Sequence, residues 1–519
     1  MLASTLTWAM LAGYGFFLYR IVQSSIPEKV SASAFFQGKA KNGQAPGLWL
    51  LVASAAISWI FAKSIDNAAS LANSFGALGG LGYAIYYLSF ITAAIALYFI
   101  RIRSGFNSIS EFLVSKYGGL CARLFLIAIA IRLFNEVWSN TKVFALYFGA
   151  EGGAGYWIAA ILATTFTVYY SLLGGLRSSL LTDGAQMVLA AVLLAVILAT
   201  LGPGLVSRGL PIAEPETRLA GLTFCGLAFV QIFSYPFHDP VMTDRAFITS
   251  PRVMVKGFGL AGLISGGFIF LFSTVGLYAR AFGVEGHPTL AVPTLFGLPM
   301  LLVFNAIMLT SAGSTLDSTF SSVAKLAGRD WANRKGRPTE IQAYIGRWGI
   351  IAIAVLGNLP LLSIYLGDQI GPAVILATTI SGTMVMGLAP IFLLSFIPNA
   401  GHLSFHLAFW PGLIFGILRV LENAFSIAIF PAWISLGGGK YAEDFGLNVY
   451  GLGLCIAGYL LGAVFNRGSR ARQQQGKSSA AIQTPNGGIS WQNTLAVVVP
   501  IQISSGSHLK FRQFAANVD

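Results

Sequence analysis

The chain has 519 residues, 55% of them hydrophobic and only 10% charged, with a formal net charge of +13. A soluble chain would carry about 25% charged residues, so a water-facing globular surface is excluded. The basic residues sit in short loops between apolar runs, a distribution that orients a membrane protein and argues against a nucleic-acid partner.

Apolar runs near 20 residues recur from end to end, each long enough for a hydrocarbon core of roughly 30 Å. Period-2 alternation is not apparent, so helices rather than a barrel satisfy the backbone. Residues 2–19 have no basic residue before them and Arg20 after them, which predicts a first spanning helix with its N-terminus outside, not a cleaved signal. Further spans are predicted at 47–75, 78–100, 119–149, 154–173, 178–203, 218–240, 254–284, 294–323, 346–366, 370–397, 404–430 and 448–465. That is about thirteen transmembrane helices, an odd count that puts the C-terminus in the cytoplasm. Most of the 32 Lys+Arg then fall on the inner side, Arg101, Arg245, Arg252, Lys325 and Arg329 among them. Arg208, Arg218, Arg280 and Lys440 fall outside, and Lys63, Arg132, Lys142 and Arg419 lie within spans. This bias supports a multi-pass protein of the cell membrane in that orientation.

The predicted organisation is a peripheral helix and cytoplasmic loop (1–46), a core (47–400), two peripheral helices (401–465) and a Gly/Ser/Gln/Arg-rich cytoplasmic tail (466–519) expected to be disordered. The core divides into halves at about 47–203 and 218–397. Each half opens on an interrupted helix: Ser54 to Asn73 mixes Ser, Lys, Asp and Asn into an apolar run, and Pro236, His238, Asp239 and Pro240 break the other. Interrupted helices at matching positions point to a midplane binding site in an inverted-repeat transporter. Cys121, Cys225 and Cys455 all fall in apolar segments and give no disulfide framework. No P-loop, Cys/His metal cluster or K⁺-filter sequence is present.

The strongest local signal is the run Ser311-Ala-Gly-Ser314-Thr315-Leu-Asp317-Ser318-Thr319. Hydroxyls and unwound carbonyls are hard neutral oxygens that suit Na⁺. A Ser/Thr-rich helix interface, with hydroxyls bonded back to the preceding turn, is the other reading of the same residues.

Ser314-Thr315-Leu-Asp317-Ser318, followed by Gly328-Arg329-Asp330-Trp331, resembles the "S-T-x-x-S … R-D" segment of the sodium:solute symporter family, which includes sodium/proline, sodium/glucose and urea symporters. Three more stretches agree in order. Ser108-Ile-Ser-Glu111-Phe112-Leu113 with Lys116-Tyr117-Gly118 resembles its "EFL..RYG" loop. Gly174-Gly175-Leu-Arg177 through Thr182-Asp183 to Gln186 resembles its "GGl…TDxxQ" helix start, and Asp244-Arg245 near Ser250-Pro251 its "QR" loop. The resemblance spans roughly 47–400 and implies an all-α fold with a five-plus-five inverted-repeat (LeuT-like) transporter core.

The resemblance also implies a sodium site. Ser314 and Thr315 match two hydroxyl ligands, Ser311 would give a carbonyl, and Ile57 and Ile60 would offer carbonyls from the broken first core helix. Asp183 matches an acidic residue near the sodium exit; a helix N-terminal charge favoured by the dipole is the alternative. The substrate candidates are Trp59, Phe61, Lys63, Ser64, Asp66, Gln231, His238 and Asp239. Lys63 and Asp66 are three apart and can meet on one helix face. Lys63 is read as binding an acidic group of the substrate, standing in for a cation, or pairing with Asp66 for packing. His238-Asp239 either contacts substrate and titrates or only breaks the helix. Arg132 and Glu136 read as a structural ion pair with substrate contact as the alternative, and Phe134 joins Trp59 and Phe61 as pocket wall or packing. The resulting expectation is no enzyme, but a monomeric symporter in the bilayer that couples Na⁺ to uptake of a small organic solute. The alternatives are a solute-sensing membrane input protein and a sodium-independent transporter of the same fold that uses Lys63.

Overall fold

The computed structural model describes residues 2–482 except 26–29, 103, 212, 333–336, 368–369, 372–373, 376–377 and 380. Among the described residues the chain is helical and forms no strand. The contacts divide it into a unit of Met1–Val464, to which all that follows refers, and a second of Phe465–Asp519.

The helices that position the site are α1 (Leu2–Ser25), α2 (Leu48–Trp59) and α3 (Ala62–Phe75). They continue with α4 (Ala77–Ile102), α5 (Gly119–Ala145), α6 (Ala154–Gly174), α7 (Leu176–Arg208) and α8 (Pro215–Gln231). Then come α9 (Pro240–Arg245), α10 (Pro251–Phe282), α11 (Pro288–Leu295), α12 (Leu298–Ala324) and α13 (Thr339–Leu356). The order closes with α14 (Leu388–Leu393), α15 (His402–Phe425) and α16 (Ala442–Asn466).

Helix stands at every predicted span, although much of 370–397 lies outside the described residues and α14 is what remains at its end. By length and composition, 8 described helices can cross a bilayer, or 9 if the bent pair α2–α3 is one span. The expected thirteen is thus not reached on that criterion: α1, α5 and α8 do not meet it, and much of 370–397 lies outside the described residues. The part of the expected disordered tail that is described, as far as Ile482, is helical. Its Arg, Gln and Ala residues favour helix once the preceding span has nucleated it. Residues 483–519 lie outside the described residues.

Both predicted interruptions are real breaks. Between α2 and α3 the axis bends by 60°. Ile60 leaves helical geometry (φ −79°, ψ 69°) and Phe61 is extended (φ −64°, ψ 147°). The Tyr87 hydroxyl donates to the Trp59 carbonyl at 2.7 Å and so satisfies an acceptor at the helix end. Between α8 and α9 the chain passes through a short 3₁₀ turn, Tyr235–His238. Pro236 and Pro240 lack N–H donors, and Asp239 restarts the helix by accepting from the Val241 and Met242 amides at 2.9 and 3.4 Å.

The centre of the fold is α12, in which every residue from Ile307 to Ser322 is buried. It packs against α2, α5, α6 and α7. Close helix approach elsewhere depends on small residues: a Cβ on Gly276 of α10 would lie 1.8 Å from the Ala69 carbonyl of α3. Apolar side chains such as Val192, Leu263 and Val464 face outward, as a lipid-facing surface requires.

Candidate functional site

Two ionic networks and one cavity meet at the broken helices. The first network joins α2, α7, α9 and α12. Asp183 is completely buried and takes a hydrogen bond from Ser54 Oγ (2.5 Å) and, on its other oxygen, from Ser314 Oγ (2.5 Å). Its partner is Arg245, also completely buried, whose Nη2 lies 3.0 Å from Asp183 Oδ2. The same guanidinium donates to Ser54 Oγ through Nε (2.8 Å), and through Nη2 to Ser58 Oγ (3.0 Å) and Ser318 Oγ (2.7 Å). Arg245 is therefore not a charge at a cytoplasmic loop edge, as the sequence led us to expect. Asp239 restarts the helix so that Arg245, six residues on, points into the core rather than toward the next loop.

One turn from this pair lies a second buried carboxylate. Asp317 accepts from Tyr170 Oη (2.9 Å), Ser179 Oγ (2.8 Å) and Thr182 Oγ1 (2.8 Å) and makes no ion pair among the described residues. Of the two carboxylates only Asp183 meets the guanidinium; Asp317 is held by hydroxyls.

The predicted sodium ligands lie in and beside this network. Ser314 donates to Asp183, and Thr315 Oγ1 donates back to the Ser311 carbonyl at 2.9 Å. A hydroxyl that donates keeps its oxygen lone pairs, so both remain suitable for a hard cation. The Ile57 carbonyl accepts from the Ile60 amide at 3.1 Å, inside the turn that ends α2. Their hydroxyl and carbonyl oxygens are of the hard, neutral kind that Na⁺ takes, and the Arg245 guanidinium is a competing positive charge on the adjoining serines.

The second network joins the two broken helices through α5. Lys63 Nζ lies 2.8 Å from Glu136 Oε1 and 3.2 Å from Asn135 Oδ1. Glu136 also pairs with Arg132, one turn earlier, and Arg132 Nη2 reaches Asp239 Oδ2 at 3.2 Å. Two cations balance two carboxylates. The expected Lys63–Asp66 pair does not form. Asp66 instead accepts from Thr289 Oγ1 (2.6 Å) and faces His287 Nδ1 at 3.2 Å. Three residues along a helix leave two side chains about 60° apart, and here Lys63 reaches to α5 while Asp66 reaches to α11. His238 is fully buried, makes no hydrogen bond through either ring nitrogen and packs edge-on against Tyr235 at 4.6 Å.

Above the second network is a cavity of about 460 Å³. Of the residues expected to meet substrate, Trp59, Phe61, Ser64 and Gln231 line it, whereas Lys63, Asp66, His238 and Asp239 do not. Sequence reasoning missed Tyr83, Tyr86 and Tyr87 of α4 and Tyr235 of the second break, which complete an aromatic wall. The dense Tyr83-Ala-Ile-Tyr86-Tyr87 run was the available signal. Lys63 Nζ lies 5.3 Å from the Phe61 ring, and the Arg132 guanidinium lies 5.5 and 5.6 Å from Phe61 and Tyr235. The balanced network therefore supports the rings that floor the cavity. Gln231 is held by Tyr86 Oη, which donates to its Oε1 at 2.6 Å, and donates through Nε2 to Asn448 Oδ1 at 3.2 Å.

A second cavity, of about 840 Å³, is lined by residues of predicted cytoplasmic segments, including Arg101, Glu111, Phe247, Lys325 and Arg329. Asp244 pairs with Lys325 at its edge. The chain segment that links Tyr235 of the first cavity to Phe247 of the second carries Asp239, Asp244 and Arg245, each in an ion pair.

No family model matches the chain. Solved structures do resemble it. A Na⁺-coupled sialic acid symporter in a substrate-bound outward-open state matches with a TM-score of 0.60 and 15% identity, over 88% of this chain and 97% of that one. A nucleobase-cation-symport-1 family transporter, in a closed conformation with bromovinylhydantoin bound, matches with a TM-score of 0.50 and 14% identity, over 83% of this chain and 96% of that one. The fold is therefore the all-α, LeuT-like fold of these membrane transporters.

Proposed function

We propose that this protein is a sodium-coupled symporter of the sodium:solute symporter type, which takes up a small organic solute by alternating access at the cell membrane. The observation that carries the reading is the aromatic cavity built where both broken helices meet, separated from a second cavity by a segment whose carboxylates and arginine are locked in ion pairs. Such breaks are where transporters of this fold place substrate. The solute occupies the cavity between Trp59, Phe61, Ser64 and Gln231. Breaking the Asp183–Arg245 and Asp244–Lys325 pairs releases it toward the second cavity, with the N-terminus outside and the C-terminus in the cytoplasm. The two solved neighbours are, by description, a Na⁺-coupled symporter and a cation-symport family transporter, which agrees with ion coupling.

Na⁺ binds through the Ser314 and Thr315 hydroxyls with carbonyls of Ser311, Ile57 and Ile60, and Asp183 governs its exit. One Na⁺ crossing about 100 mV releases roughly 2.3 kcal/mol. A tenfold gradient adds about 1.4 kcal/mol. In proteoliposomes, uptake of the true solute rises with external Na⁺ and collapses when the gradient is dissipated. Equal uptake in choline and sodium buffers, with the proton gradient controlled, sinks this reading.

The position of Arg245 supports a second reading, a sodium-independent transporter in which a fixed guanidinium does the work of the ion. Sequence reasoning assigned that role to Lys63, but Lys63 sits in a network that is already neutral. Under this reading wild-type uptake ignores Na⁺, and Arg245→Gln makes whatever uptake survives respond to it.

A further inference from the structure

The charge and hydrogen-bonding pattern of the aromatic cavity narrows what it accepts. This inference rests on the cavity being the transported solute's site. At the inner end, Trp59, Phe61, Tyr86 and Tyr235 supply flat apolar faces. The formal charges behind them cancel, since Lys63 and Arg132 are matched by Glu136 and Asp239. Among the described residues, the only charged ones that line the cavity are Lys440 and Asp444. Asp444 is held by Arg419 Nε at 2.8 Å, and the Lys440 ammonium lies 5.5 and 5.0 Å from the Phe75 and Tyr441 rings. An ammonium entering the cavity would lose its hydration and find no uncommitted carboxylate, and a carboxylate would have to draw Lys440 off the Phe75 and Tyr441 rings; either is costly.

Two amide side chains line the cavity, Asn67 and Gln231, and of these Gln231 is the buried one, presenting a donor and an acceptor in one plane. Tyr86 Oη occupies one lone pair of its Oε1 and Asn448 takes one of its two N–H bonds. Among the described residues, one N–H and one lone pair of Gln231 have no further partner and remain for a solute. Gly382 makes room for this amide: a Cβ there would come within 2.4 Å of Gln231 Cδ. An amide that offers one donor and one acceptor is complementary to another amide. Aromatic faces on either side favour a planar one.

The geometry points to an uncharged, planar amide-bearing solute as the substrate class, paired edge to edge with Gln231 and stacked on the aromatic wall. Nicotinamide and nicotinate test this directly, because they share a ring and differ only in amide against carboxylate. On the purified full-length protein, calorimetry or a thermal shift gives nicotinamide at least tenfold tighter than nicotinate. Gln231→Leu lowers nicotinamide affinity about tenfold, and Tyr86→Phe, which frees the Gln231 amide to rotate, lowers it severalfold with unchanged melting temperature. Equal or tighter binding of nicotinate, no binding of nicotinamide, or insensitivity to both substitutions in folded protein overturns the assignment. Its failure is separable from that of the transport reading. Uptake of a carboxylate but not of the amide overturns the substrate class and keeps the transporter. Nicotinamide binding without counterflow in proteoliposomes overturns the transporter and keeps the pocket chemistry.

Discussion

The two buried ionic networks use similar residues to opposite ends. Beneath the aromatic cavity, Lys63, Arg132, Glu136 and Asp239 balance, and they tie α3, α5 and α9 into one floor. In the serine-rich cluster, Arg245 meets Asp183 alone among the described residues, and Asp317 has only hydroxyls around it. A balanced network has nothing to gain from a mobile ion and behaves as a scaffold. An unbalanced one sits in a state that an added positive charge would stabilise. Under the proposed function the difference assigns ion sensitivity to the cluster and solute recognition to the cavity, although both hang on the same two broken helices.

Removing the cluster's cation should have the largest effect. Arg245→Gln strands the buried Asp183 carboxylate, and breaking a buried pair by removing one partner costs about 3–5 kcal/mol. The expected result is a large fall in melting temperature in detergent and loss of uptake. Arg245→Gln combined with Asp183→Asn recovers part of the melting temperature, because neither partner of the pair is then left stranded. A single variant that melts like the wild type breaks the comparison, since the cluster would then not depend on its cation.

The next effect belongs to the balanced network. Lys63→Gln leaves Glu136 to Arg132 alone and gives the floor one unmatched negative charge, with an expected loss of about 2–3 kcal/mol. The coupled partner is Glu136. A double-mutant cycle of Lys63→Gln with Glu136→Gln should therefore show an interaction of about 1–3 kcal/mol, read from melting and from membrane abundance. Purely additive losses would mean that Arg132 already neutralises Glu136 and that Lys63 serves the solute instead.

These two cases also show what was legible in the sequence. The membrane class, the two helix breaks and the Ser/Thr stripe of α12 are local: apolar length, Pro236 and Pro240, and clustered hydroxyls declare them. Pairing across the fold does not declare itself. Lys63 looked matched to Asp66 three residues away, whereas its carboxylate stands 73 positions on. Arg245 followed a helix breaker and preceded Ser250-Pro251, and so read as a loop residue; only the restart of helix at Pro240 turns it inward. The tyrosines of α4 were passed over because aromatics in a membrane span usually pack against lipid or core, and no one-dimensional pattern separates those from a cavity wall.

Neutralising the unpaired acid should do less than either. Asp317→Asn removes the charge that has no cation, while the Tyr170, Ser179 and Thr182 hydroxyls can turn to suit the amide. The expected cost is about 1 kcal/mol, from charge-assisted hydrogen bonds lost and net charge relieved. Asp183→Asn, which unpairs Arg245, should cost several times more and slow transport beyond any loss of ion binding. Equal melting losses for the two variants would show that the excess charge is not real and that Asp317 is held by a cation as firmly as Asp183.

The smallest effect is expected one turn above Lys63, at Asp66. Its carboxylate faces Thr289 and His287 of the α10–α11 region, and the His287 side chain is 47% exposed against 18% for Asp66. Water screens such a pair, and exposed ion pairs are worth about 0–1 kcal/mol. The hydroxyl of Thr289 persists whichever charge state His287 holds, so part of the contact is not ionic at all. Asp66→Asn should therefore shift the melting temperature by only a degree or two and leave uptake within about twofold. It should also show no coupling to Lys63→Gln, because the two side chains leave α3 toward different neighbours. Uptake and melting for Asp66→Asn, Lys63→Gln and the pair give the answer in one set. A loss at Asp66 as deep as that at Lys63, or recovery of transport in the pair, would mean that α3 turns during the transport cycle and brings Asp66 into the ionic floor. The floor would then be a moving part, and the division between a fixed scaffold and an ion-sensitive cluster would fail.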